Sequence, residues 1–229
     1  LERVIRHFGD LPAGPPLASI TATEPPQRGE RRITIEGEEH TAYLEMVFHS
    51  PNASHPDYFP LTVLDAILGG AKTLTFFGGG GSNRSSRLYR ALVERELATD
   101  VDSSFLPTID PYLFAFSLTV RQGKTLEACE AALWQEIEHI RKAPPTTEEL
   151  HKAVQQSKAQ FAFSRESVTN QAAWLGFAEI VASTDWLDNY LENLSRVTPA
   201  DVQRVAVQYL VRSNCTVGWY VPTSNSETG

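Results

Sequence analysis

The sequence predicts an α+β fold in which helices pack on one face of an antiparallel-rich β-sheet. Strand-like segments come in adjacent pairs, and segments with apolar residues three or four positions apart separate these pairs. Strict strand–helix–strand alternation, which is typical of parallel sheets, is absent. Hydrophobic residues make up 41% and charged residues 21% of the 229 positions, as expected of a globular domain.

The first half of the chain supplies two strands and a helix before a glycine-rich stretch. Residues 31–36 and 41–48 alternate between apolar and polar side chains, as half-buried strands do. We expect Ser54 to cap the helix that follows, and Gly69 with Gly70 to end it.

A second helix and a second pair of strands follow the glycines. The helix is predicted from about Ser85 to Glu96, with Leu88 and Leu92 facing inward. Residues 99–105 and 112–120 then alternate as the third and fourth strands.

The second half of the chain is predicted to be mostly helical, with one final strand. Residues 125–142 form an amphipathic helix, and helical pattern resumes after two prolines. A capping box from Thr146 to Glu149 starts this helical region, which breaks near Ser183 and ends at Asn193. Thr198 is expected to cap the last helix, and residues 215–221 form the final strand.

The charge and the cysteines exclude several function classes. The net charge of −8 argues against a general nucleic-acid binder and gives no attraction to anionic membranes. No apolar run approaches the roughly 18 residues of a membrane span. Cys129 and Cys215 are expected to be free buried thiols, with a single disulfide as the alternative. The two cysteines leave the cellular compartment open.

The chain is expected to be a fragment or a processed product, because it starts at Leu1 and its one methionine is Met46. Residues 1–29 are predicted to be the end of a helix and a Pro-rich linker that follows an upstream domain. Residues 30–222 form the main domain, and residues 223–229 form a tail.

No nucleotide or metal motif is complete. The tract Gly78, Gly79, Gly80 and Gly81 fits no phosphate loop, because Ala71 precedes Lys72 and Asn83 stands where G-x-G-x-x-G needs glycine. We interpret the tract as a flexible loop, or alternatively as a hinge or flap beside a substrate. None of the six histidines forms an i, i+4 pair, and residues 36–40 miss H-x-x-E-H because Glu36 replaces the first histidine. That segment is expected to be a solvated hairpin turn.

Nucleophile motifs are also absent, but arginines gather at the second predicted helix. There is no G-x-S-x-G, and neither cysteine has a basic neighbour that would lower its pKa. The arginines could hold a peptide carboxylate or backbone, or they could be solvated charges paired with Glu94 and Glu96. They are Arg84, Arg87, Arg90 and Arg95.

Four segments together resemble the pitrilysin/insulinase family of zinc metallopeptidases, of mitochondrial processing peptidase-like fold. Residues 85–98, read SSRLYRALVERELA, follow a glycine-rich loop and a helix that ends ILGG. Residues 7–13, HFGDLPA, resemble the junction between that family's two lobes. Residues 167–171 and 186–190 are similar to its C-terminal lobe.

The resemblance implies the non-catalytic C-terminal lobe of such a peptidase. The zinc and its H-x-x-E-H motif are then expected in a partner N-terminal lobe, of the same protein or of a partner subunit, and no cofactor is expected in this chain. This lobe would close a chamber around a peptide substrate and would be inactive alone. An inactive scaffold or partner subunit of the same fold is the alternative.

The resemblance also suggests where substrate contacts would lie. Second lobes of the family often carry an arginine and, seven residues later, a tyrosine that hold substrate and oxyanion. The tyrosine position corresponds to Thr99, Leu92 stands seven residues before it, and the segment is one residue short. Arg90 is the substitute for the arginine, so Arg90 and Thr99 are the substrate-facing candidates.

Overall fold

The computed structural model describes residues 1–12, 14–15, 24–72 and 84–223, and it confirms the α+β class. Its strands are β1 Arg31–Gly37, β2 Tyr43–Ser50, β3 Ala98–Phe105, β4 Tyr112–Val120 and β5 Cys215–Pro222. Its α-helices are α1 Glu2–Phe8, α2 Tyr58–Leu68, α3 Leu126–Lys142, α4 Thr147–Phe163, α5 Val168–Val181, α6 Thr184–Asp188, α7 Tyr190–Arg196 and α8 Pro199–Tyr209. A π-helical turn, Tyr89–Val93, precedes β3.

The five strands form one sheet in the order β1-β5-β2-β4-β3. Three of the four strand pairs are antiparallel, as expected, and β1 pairs with β5 in parallel. The hairpin turn predicted over residues 36–40 is therefore wrong, since β5 lies between β1 and β2. The inward side chains of β5, Cys215 and Val217, are fully buried, and β5 pairs with a strand on each side.

Helices cover one face of the sheet. The covered face carries fully buried side chains from the three central strands, each contributing about 1.5–3 kcal/mol of hydrophobic free energy. These side chains are Leu44, Met46, Phe48, Phe114, Phe116 and Val217. On the opposite face, Ile33 and Ile35 are more than half exposed, so no described element covers that end of the sheet.

Two predicted helix starts differ from the structure. Ser54 caps nothing, because α2 begins after Asp57, whose carboxylate instead binds Arg204 and Tyr209. The helix expected from Ser85 to Glu96 is mostly the π-helical turn, in which the Glu94 N–H donates to the carbonyl of Tyr89. Leu88 and Leu92 are nevertheless fully buried, as expected.

Most other predicted boundaries are confirmed, but α7 continues to Arg196, past the expected end at Asn193, and the helical pattern also breaks between α4 and α5. Gly69 follows the last residue of α2, and Ser183 lies in the break between α5 and α6. Side-chain oxygens of Thr146 and Thr198 accept hydrogen bonds from backbone N–H groups three residues ahead. Both cysteines are free and buried, so the single disulfide is excluded. No described helix is long and apolar enough to cross a membrane.

No residue of helix α1 is buried by the described part of the chain. Its apolar side chains Val4, Ile5 and Phe8 are each 56–62% accessible to solvent. The division into a remnant and linker over residues 1–29, a lobe over 30–222 and a tail stays a prediction.

Replacing Glu96 with glycine is expected to stabilise the protein. Glu96 has φ of +59°, a left-handed conformation that costs side-chain-bearing residues about 1 kcal/mol. Its ion pair with Arg121, at 3.6 Å, is exposed and adds little. Glu96→Gly should raise the free energy of unfolding by about 0.5 kcal/mol in urea titrations, because the relieved strain exceeds the entropic cost that glycine adds. Glu94→Gly, at φ −65°, is the control and should lower it, and a destabilised Glu96→Gly would contradict this account.

Candidate functional site

A cleft of about 820 Å³ opens beside the C-terminal end of α2. Its other walls come from the segment that leads into the π-helical turn, from α3 and from the first turns of α4. Four cationic and four acidic side chains line it, so the cleft wall carries both positive and negative charges. They are Arg87, Arg90, Arg95, Lys152, Glu94, Glu136, Glu148 and Glu149.

A bidentate ion pair between Arg87 and Glu149 fixes one wall of the cleft. Arg87 Nε and Nη2 each lie 2.6 Å from a Glu149 carboxylate oxygen. Thr146 Oγ1 accepts from the Glu149 N–H at 3.1 Å, which holds the first turn of α4 in place. Burial alone would raise the pKa of Glu149, but the bonds from Arg87 and the charge of Arg90 lower it below its usual value. Glu149 is therefore ionised at neutral pH.

This pairing corrects one sequence-based interpretation of the arginines. Arg87 pairs with a glutamate of α4, and not with Glu94 or Glu96. Glu96 lies near Arg121 instead. The capping box predicted the position of Glu149, but nothing in the local sequence indicated its partner 62 residues away.

The two substrate-facing candidates lie in different places. Arg90 is exposed on the π-helical turn and lines the cleft, where its Nε donates to the Ser86 carbonyl at 3.4 Å. Thr99 is exposed on β3, and its hydroxyl donates to the Thr119 carbonyl at 3.3 Å. Thr99 is not among the residues that line the cleft, so the structure does not bring the pair together. The four-glycine tract, residues 78–81, lies outside the described residues.

Metal and thiol chemistry find little support in the geometry. Within the described ranges, no group of three or more His, Cys, Asp or Glu side chains could hold a metal ion. Burial raises the pKa of both cysteine thiols, which disfavours the reactive thiolate. His139 and His151 are exposed on helix surfaces, as expected.

A second, smaller cavity of about 180 Å³ contains a buried carboxyl group that the sequence did not single out. Asp65 of α2 is 8% exposed and accepts a hydrogen bond from the Ser103 hydroxyl. Burial raises its pKa to about 6, although the Lys72 ammonium lowers it. Lys72 in turn lies 2.7 Å from Asp102. Asp65 lies within an otherwise apolar run, and no local pattern indicates its polar partner on β3.

Comparison with known proteins places this geometry in a family. Residues 1–157 match the model described as the peptidase M16 inactive domain. The β subunit of the mitochondrial-processing peptidase of Lentinula edodes is 27% identical over 215 residues, which cover 90% of this chain and 44% of that subunit.

Solved structures with the same fold include bacterial proteins. A protease from Helicobacter pylori superposes with a TM-score of 0.85 at 24% identity, over 96% of this chain and 52% of that one. An inactive peptidase domain from Bordetella parapertussis superposes at 0.70 with 27% identity, over 85% of this chain and all of that one. The chain therefore spans about half the length of the longer relatives.

The ion pair in the cleft wall should contribute measurably to stability. In a double-mutant cycle of Arg87→Gln and Glu149→Gln, we expect a coupling energy of about 1–2 kcal/mol from chemical unfolding, because the pair is bidentate and mostly buried. The exposed pair Arg196–Glu192 is the matched control, with a coupling below about 0.5 kcal/mol. Equal coupling in the two pairs would refute the special role of the cleft pair.

Asp65 should make stability depend on pH. Its pKa rises from 3.8 to about 6 on folding, so the folded state favours the protonated acid. Stability is then greatest at low pH and falls as pH rises from about 4 through about 6, by about 3 kcal/mol in total. The Asp65→Asn variant should not lose stability over this pH range. The free energy of unfolding of the variant minus that of the wild type should therefore increase as the pH rises.

The matched control for Asp65 is Asp110→Asn, which removes an exposed carboxylate. The measurement is the free energy of unfolding at several pH values between 4 and 8. A gap between wild type and Asp65→Asn that stays constant with pH would show that Asp65 does not titrate in this range.

Proposed function

The chain belongs to the peptidase M16 inactive-domain family, and we propose that it is the non-catalytic lobe of a zinc-dependent peptidase. In this role it closes a peptide chamber against an N-terminal zinc-bearing lobe of the same protein or of a partner subunit. The observation that carries the proposal is the match of the inactive-domain model to residues 1–157. The 27% identical inactive peptidase domain from Bordetella parapertussis supports it.

Zinc in the partner lobe is part of this proposal, and the chemistry of the described residues here is compatible with it. They contain no cluster of three or more potential ligands, whereas a catalytic zinc takes three protein ligands and a water. When bound in the partner lobe, zinc would activate the water that attacks the peptide bond. The contribution of this chain is binding and orientation of the peptide.

The cleft beside α2 is the proposed peptide-binding surface. Arg90 is exposed there, and its guanidinium can donate hydrogen bonds to peptide carbonyls or carboxylates. Arg87 is occupied by Glu149 and holds the wall instead. Thr99, on the sheet, stays a second candidate for contact with a longer peptide.

An inactive scaffold or partner subunit of the same fold is a second proposal. The relative that is named a peptidase subunit, 27% identical over 90% of this chain, supports the partner-subunit form of this proposal and not the inactive scaffold. An H-x-x-E-H motif upstream of Leu1 in the same gene would favour the peptidase, and an upstream lobe without it would favour the scaffold, unless a separate chain supplies the zinc lobe.

Arg90 gives the test of peptide binding. The purified chain should bind fluorescein-labelled unstructured peptides of about 15–20 residues, and Arg90→Gln should weaken the dissociation constant at least about fivefold through the loss of charge-assisted hydrogen bonds. Arg196→Gln, on the exposed face of α7, is the control and should bind as wild type does. Undetectable binding by the wild type, or equal affinity of the two variants, would overturn the peptide-binding role of the cleft.

A further inference from the structure

Strand β1 has almost no buried surface of its own. Residues 31–36 are all exposed, and β1 lies at the edge of the sheet, where it pairs only with β5. An edge strand held by backbone hydrogen bonds alone belongs to the parts of a protein that open locally at low free-energy cost. Side-chain contacts at the start of the strand counter this tendency.

Arg32 connects β1 to the buried carboxylate of α3. Both of its terminal nitrogens donate to Glu130, which is 7% exposed, with Nη1 at 3.0 Å from Oε2. The Trp219 indole N–H also donates to this carboxylate at 3.1 Å. The Arg32 guanidinium lies over the Trp219 ring at 5.6 Å. A buried carboxylate depends strongly on its cation, so this contact ties β1 firmly to α3.

Glu30 adds a second charged contact immediately before the strand. Its carboxylate lies 2.7 Å from Arg32 Nε and 2.8 Å from Arg212 Nη1. Arg212 stacks on the Trp134 ring of α3 at 4.4 Å. Burial alone would raise the pKa of Glu30, but the bonds from Arg212 and Arg32 lower it. Glu30 is therefore an anion between two arginines that are themselves held on tryptophans.

Gln27, three residues before Glu30, forms a further contact between the incoming chain and β5. Its side-chain amide donates to the Cys215 carbonyl of β5 at 2.7 Å and to the Gly29 carbonyl at 2.8 Å. Three side chains within six residues thus bind the chain before β1 to the lobe.

We propose that Gln27, Glu30 and Arg32 form a connector clamp, which fixes the incoming chain and β1 to the lobe as one unit. The clamp makes residues 27–37 part of the rigid lobe. Any rotation of the lobe relative to an upstream lobe then takes place N-terminal to Gln27, a consequence that rests on the proposed function. The strength of the clamp comes from charged contacts and not from apolar burial, because β1 buries so little.

Hydrogen exchange of the full 229-residue chain, followed by mass spectrometry, tests the clamp. Arg32→Gln should raise the exchange rate of the β1 amides at least tenfold while β2 and β4 stay protected. Glu30→Gln should raise it to a smaller extent, because Arg32 keeps Glu130. Increasing sodium chloride from 0.05 to 0.5 M should accelerate β1 exchange in the wild type and have less effect in Arg32→Gln.

Arg31→Gln is the matched control, because Arg31 is the neighbouring exposed arginine of the same strand and forms no ion pair with a described residue. It should exchange as wild type does. Unchanged β1 exchange in Arg32→Gln, or an equal increase in β1, β2 and β4, overturns the clamp. If the Arg32→Gln variant does not fold, the Glu30→Gln variant is the test. Exchange of the β1 amides at the wild-type rate in Glu30→Gln then overturns the clamp. The experiment uses neither peptide nor zinc, so its failure leaves the proposed function intact.

Discussion

The burial of helix α2 is the constraint on which the rest of the lobe depends. Nine of its eleven residues are buried, because it lies between the sheet and the outer helices. At its end, a Cβ on Gly69 would overlap the Ser103 hydroxyl of β3, so only glycine permits this contact. Gly70 then turns away with φ of +96°, a conformation that glycine adopts without strain. The C-terminal end of α2 is thereby fixed against the sheet, and that end forms one wall of the cleft.

The other end of α2 organises the C-terminal part of the chain. The Asp57 carboxylate accepts from the Tyr209 hydroxyl at 2.8 Å and lies 2.7 Å from an Arg204 guanidinium nitrogen, both on α8. Helix α8 leads into β5, which occupies an interior position in the sheet and carries β1 at the edge. Helix α2 therefore fixes the positions of the cleft, of β5 and of the connector clamp relative to each other.

Much of this fold could be predicted from local sequence, and the failures have a common cause. Alternation located β2 and β4 closely, and the threonine caps located the starts of α4 and α8, because these signals lie within a few residues. The parallel pairing of β1 with β5 joins segments about 185 residues apart, which no local pattern reports. The same holds for the ion pair of Arg87 with Glu149. Arg90 and Thr99 were candidates through the family resemblance, whereas only the structure shows that Arg90 lines the cleft and Thr99 does not.

The central claim is that this lobe binds peptide but does not itself catalyse hydrolysis of the peptide bond. Zinc titration of the isolated chain by calorimetry, with a fluorogenic peptide-hydrolysis assay on the same sample, tests it most directly. The account predicts no tight stoichiometric zinc site and no zinc-dependent hydrolysis. A one-to-one zinc site of high affinity, accompanied by hydrolysis that a chelator abolishes, would contradict it.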